Sequence, residues 1–95
     1  MSKYQKGLNG FIELLLSAKD KKSCALLLEL FLTPEEILDL ERRFFIIKEL
    51  LKNEKTQRQL AADLQVSIAK ITRGSNELKR INPKLLTYLK EQLVE

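Results

Sequence analysis

Hydrophobic positions in this chain recur at helical spacing from one end to the other, and no segment sustains the period of two of a half-buried strand. Phe11, Leu14, Leu15 and Ala18 form one stripe, which predicts a helix from about Tyr4 to Lys19, its first half weakened by Gly7 and Gly10. A basic link, KDKK, follows. The stretch SCALLLELF is apolar almost all round and predicts a short, fully buried helix. A third helix opens at LTPEE, with Thr33 as N-cap, Pro34 at the first helical position and Glu36 completing a capping box. It runs to about Leu51 or Asn53. Ile37, Leu40, Phe44, Ile47 and Leu51 make its main stripe, and Leu38, Phe45, Ile46 and Leu50 widen it. A helix apolar over so much of its circumference belongs at the centre of a molecule.

The second half of the chain breaks into shorter pieces. After the polar link NEK, Thr56 caps a helix with Gln59 as its capping-box partner, and Leu60, Ala61 and Leu64 face inward. QVS makes a tight turn, with Gln65 where a residue of positive φ is common. Ser67 caps a helix from Ile68 to about Lys79. Asn82 and Pro83 open the last helix, whose Leu85, Leu86, Leu89 and Leu93 face inward. The expectation is an all-α fold of six helices.

Two short helices joined by a tight turn, the second polar outside, describe a helix-turn-helix, here about residues 57–79. Leu60, Ala61, Leu64, Val66, Ile71 and Leu78 would pack the pair together. At roughly 100° per residue, Ala69, Arg73 and Asn76 fall opposite Ile71, flanked by Thr72. That outward set suits a major groove: arginine pairs with guanine or phosphate, and asparagine with adenine. Lys70 and Arg58 suit phosphates. The competing structural reading is a plain helical hairpin with a solvated charged face. The segment KITRGSNELK is unusual for either, because Gly74 in a helix interior costs about 1 kcal/mol relative to alanine.

Charge sharpens the picture. The net +4 is uneven: residues 56–80 carry five bases against two acids, a net +3, whereas residues 34–55 carry five bases against six acids. The most basic segment is thus the one with the helix-turn-helix pattern, as a polyanion partner requires. The 95 residues fit one small domain, 1–95, and 44% hydrophobic content is modest for a core, which favours oligomerisation. With no histidine and a single cysteine, Cys24, the chain has no Ser-His or Cys-His catalytic pair, no Cys/His zinc site and no internal disulfide. No enzyme is expected. No apolar run reaches the roughly 18 residues of a membrane span. Glu13 interrupts the apolar core near the start, so the expectation is no export signal and a cytoplasmic protein.

The segments LTPEE and QRQLAADLQVSIAKITRGSN resemble the tryptophan repressor family, ungapped from about Leu26 to Leu78. ITRGSN matches the family's most characteristic run, and an arginine ten positions after Thr33 matches a second feature in the same register. The resemblance implies an intertwined homodimer that binds operator DNA and represses tryptophan biosynthesis genes, with L-tryptophan as corepressor and no other cofactor. By correspondence, Leu30, Leu32 and Thr33 would hold the ligand's head group. Arg43 and Arg73 would sandwich the indole, Arg73 would pair with the carboxylate, and Gly74 would let the ring approach the backbone. For DNA, the matching positions are Gln57, Arg58, Ile68, Ala69, Lys70, Thr72, Arg73 and Asn76. Lys70 stands where the family has threonine, and Ala61 where its best-known member has a basic residue. Glu77 replaces a residue that is usually small, near the ligand's amino group, and it lies four after Arg73, within pairing reach. Two other readings stay open: a helix-turn-helix regulator that is ligand-independent or takes another ligand, and a helical module whose basic face meets an acidic protein.

Overall fold

The computed structural model describes residues 3–95, and these are all-α: α1 (Lys3–Leu16), α2 (Lys21–Phe31), α3 (Pro34–Lys52), α4 (Gln57–Leu64), α5 (Ile68–Arg80) and α6 (Pro83–Leu93). The chain divides into two compact units, one ending at Ile37 and one beginning at Leu38.

In the first unit, the Phe11 ring of α1 meets Phe31 of α2 edge-on, with centroids 5.0 Å apart. Phe11, Leu15 and Ala18 are half-buried as the stripe requires, but Leu14 is more exposed. Asp20 caps α2 by accepting a hydrogen bond from the Ser23 amide at 2.7 Å, a cap that lay hidden in the basic link. That amide holds the Asp20 carboxyl below its ordinary pKa. The expectation that α2 is fully buried is not met. It has no buried residue, and Leu26, Leu30 and Phe31 are exposed. The physical reason is that an all-round apolar helix needs neighbours on every side, which a single chain of this length does not supply. The capping box at the start of α3 forms as expected: Glu36 N–H donates to Thr33 Oγ1 at 3.1 Å, and Thr33 N–H to Glu36 Oε1 at 2.9 Å.

In the second unit, Ile46 of α3, Leu60 of α4 and Ile71 of α5 form the buried core, with Leu50, Ala61, Leu64 and Val66 packed against it. Ile71 and Leu60 are the most completely enclosed, at 0% and 1% exposure. Leu78 is half-buried beyond this cluster. Just past the end of α3, Asn53 has a left-handed φ of 54°. Thr56 and Gln59 make the second capping box, at 3.1 and 2.8 Å. Gln65 adopts φ 55° and ψ 46°, the left-handed conformation expected for the turn. There it lets its own amide and that of Val66 reach the last carbonyls of α4, Ala62 and Ala61. Ser67 then caps α5 and Asn82 caps α6. On α6, Leu86, Leu89 and Leu93 are half-buried, whereas Leu85 turns outward at 46% exposure, contrary to the expected inward set. Leu86, Leu89 and Leu93 share one helical face, and Leu85 lies at its edge, about 70° from its centre.

Candidate ligand cleft and nucleic-acid face

α5 carries two different faces beside its buried Ile71. One face closes on α3. There a cleft of about 480 Å³ is lined by Asp39, Arg42, Arg43, Ile46 and Ile47 of α3 and by Lys70, Arg73, Gly74 and Glu77 of α5. On α5 these four residues follow the 0, 3, 4, 7 spacing of a single helical stripe. On α3 the apolar wall comes from Ile46 and Ile47.

Gly74 is the point of closest approach. A Cβ placed there would lie 3.0 Å from Ile46 Cγ2 and 3.2 Å from Leu50 Cδ1. Ile46 is buried in the core, so it has little freedom to yield. The glycine is therefore explained by helix packing alone: it lets α5 sit close against α3, and the cleft opens beside that contact. Its backbone φ is not positive, so conformational freedom is not the reason.

The charges in the cleft are unequally paired. Asp39 faces Arg42 at 3.8 Å. Glu77 pairs with Arg80 at 2.9 Å, three residues further along α5, and not with Arg73. Arg43, Lys70 and Arg73 are left without a carboxylate partner among the described residues. Such a site draws an anionic group and offers an apolar wall for the rest of the ligand.

Of the expected ligand residues, the cleft gathers Arg43, Arg73, Gly74 and Glu77. Arg42 lines it as well as Arg43, and the i, i+3 spacing from Asp39 separates the two: Arg42 is engaged, Arg43 is not. Leu30, Leu32 and Thr33 belong to the N-terminal unit, where Leu32 ends α2 and Thr33 caps α3. Lys70, assigned from the sequence to phosphates alone, lines the cleft. Sequence reading misses Asp39, Ile46 and Ile47 as lining residues; on periodicity Arg42 and Arg43 are equally placed, and the resemblance alone selects Arg43.

The other face of α5 looks outward. Ile68, Ala69, Thr72, Arg73 and Asn76 are exposed, as is Arg58 on α4, while Gln57 is half-buried. Thr72 Oγ1 donates to Gln57 Oε1 at 2.9 Å. This bond ties the start of α4 to the outer face of α5 and leaves the Gln57 amide nitrogen free to donate.

The chain matches the family model described as Trp repressor protein over residues 6–93. It belongs to the Trp repressor family. This is a family of regulators, not of enzymes. Among similar Trp repressor family proteins is the Trp operon repressor homolog of Chlamydia trachomatis serovar D, 38% identical over 94% of this chain and 95% of that protein. The Trp operon repressor homolog of Chlamydia caviae is 42% identical over 90% and 85%, and that of Vibrio campbellii 48% identical over 72% and 68%. The Trp repressor is a known instance of helix-turn-helix docking on DNA, and α4, the turn at Gln65 and α5 have the order and short connection of such a unit. No helix among the described residues is long and apolar enough to cross a membrane.

Proposed function

We propose that this protein is a homodimeric, sequence-specific repressor of transcription, of tryptophan biosynthesis genes, and that it binds its operator when L-tryptophan occupies the cleft between α3 and α5. The observation that supports the reading is that Arg43 and Arg73 line one cleft beside the exposed outer face of α5. Guanidinium groups stack well on an indole ring, and a free arginine is a natural carboxylate partner. Ligand filling that cleft fixes the position of α5 on α3. In a two-fold dimer this sets the spacing of two recognition helices, and so couples ligand affinity to DNA affinity in both directions.

The test is duplex selection from a random-sequence pool, followed by fluorescence anisotropy of the enriched duplex with and without L-tryptophan. The expected result is salt-steep duplex binding that L-tryptophan tightens. Tight binding with no response to L-tryptophan would leave a ligand-independent or differently liganded regulator. Absence of duplex binding under both conditions would sink the repressor reading altogether.

A further inference from the structure

Lys70, Arg73 and Glu77 lie in that order along the stripe of α5 that faces the cleft. The stripe therefore reads cation, cation, anion from the N-terminal end of the helix. The free amide groups at that end add partial positive charge beside Lys70, which lies in the first turn. Lys70 and Arg73 are three apart on one face, with Cβ atoms about 5–6 Å from each other, close enough to share one carboxylate. Like charges at this spacing repel, and an anion held between them removes the repulsion. Neither is paired with a carboxylate among the described residues: Glu77 is held by Arg80 at 2.9 Å, and Asp39, the other carboxylate of the cleft, lies 3.8 Å from Arg42. Glu77 in turn keeps a carboxylate at the opposite end of the stripe.

We infer that Lys70 is a further ligand-binding residue: it joins Arg73, the carboxylate partner that the family resemblance implies, in clamping the carboxylate of an amino-acid ligand, with Glu77 on the amino side as that resemblance also implies. The inference rests on the proposed ligand cleft and deepens it. The stripe is polar along its length, so a zwitterion fits it in one direction only. Lys70 also lies next to Ala69, an exposed residue of the outer face of α5, so it stands at the edge between the cleft and that face.

Calorimetric titration of the DNA-free protein tests this with L-tryptophan, with tryptamine, which lacks the carboxylate, and with indole-3-propionate, which lacks the amine. Lys70 is solvent-exposed, so Lys70→Met should fold. Lys70→Met is expected to weaken L-tryptophan and indole-3-propionate by about threefold to tenfold, and to leave tryptamine unweakened. Lys70→Arg should restore most of the loss. Lys79→Met, which removes a cation from the same helix outside the cleft lining, should change nothing. Unchanged L-tryptophan affinity in Lys70→Met overturns the clamp while leaving the ligand reading standing. An equal loss in Lys79→Met overturns it too, since the effect would then be one of net charge. If the unmodified protein binds none of the three compounds, the ligand reading and the clamp fall together.

Discussion

At the scale of single residues, Gly74 is the position where sequence and structure give different weight to the same fact. A helix-interior glycine flagged a constraint, and family resemblance tied it to a ligand. The structure supplies a packing reason that needs no ligand: Ile46 Cγ2 at 3.0 Å and Leu50 Cδ1 at 3.2 Å from a would-be Cβ. Gly74→Ala gains about 1 kcal/mol of helix propensity but crowds a buried isoleucine, and overpacking typically costs about 1–3 kcal/mol. The net expectation is a loss of stability of about 1 kcal/mol, read as a lower urea midpoint at unchanged slope. A raised midpoint would mean that α3 yields easily and that the glycine serves something other than packing. Arg43 poses the converse case. It is exposed and has no carboxylate partner among the described residues, so Arg43→Ala should leave the urea midpoint within about 0.5 kcal/mol. The same change should abolish the tightening of duplex binding by L-tryptophan. An intact tryptophan response in this variant would make Arg43 a solvated charge and remove one wall of the proposed sandwich.

At the scale of elements, what could be read from the sequence was what local chemistry determines. Thr33, Thr56, Ser67 and Asn82 all cap helices where their side chains placed them, because an N-cap needs only its own residue and an amide two or three positions on. The turn at Gln65 was legible for the same reason, and its φ of 55° is a residual strain. Gln65→Gly should stabilise the fold by about 0.5–1 kcal/mol, since relief of the left-handed strain outweighs the added freedom of the unfolded chain. A thermal or urea midpoint that falls would mean that the Gln65 side chain makes a compensating contact. Burial was poorly legible: α2 and Leu85 of α6 are apolar yet exposed, because hydrophobicity states what a residue prefers and not whether a neighbour exists. The cleft was half legible, since Arg43, Arg73, Gly74 and Glu77 came from resemblance, whereas Lys70 required the packing of α5 on α3 to be known. The outer face of α5 makes its own distinction. Asn76→Ala should relax specificity at one base position by about 1–3 kcal/mol. Thr72→Val removes only the bond that steadies Gln57, and should weaken all duplexes alike. Anisotropy with a panel of single-substituted duplexes separates the two, and identical profiles would undo the assignment of base reading to Asn76.

At the scale of the whole molecule, the unresolved balance is apolar surface. On α3 alone, Phe44 is 46% and Phe45 49% exposed, and Leu38 and Leu40 are similarly open. In the N-terminal unit, Leu26, Leu30 and Phe31 are exposed as well. Full burial of one such side chain is worth about 1.5–3 kcal/mol, so covering even the remaining half of four of them contributes several kcal/mol. That is comparable to the entire stability of a small domain. These residues are helical, capped and ordered by their own elements, so the surface is presented and not the by-product of an unstructured segment. A second copy of the chain, which offers the same apolar face, is the partner that the proposed function requires. The expectation is two chains by sedimentation equilibrium at low micromolar concentration, and a urea midpoint that rises with protein concentration as mass action demands. Phe44→Glu discriminates further. In a monomer, replacing an exposed surface phenylalanine would change stability by no more than about 0.5 kcal/mol. In a dimer that buries it, the same change places a charge in an apolar interface and should shift the population to single chains while lowering the midpoint. A monomeric mass with a midpoint independent of concentration, and indifferent to Phe44→Glu, would remove the dimer from the proposed function and leave each recognition helix to find DNA alone.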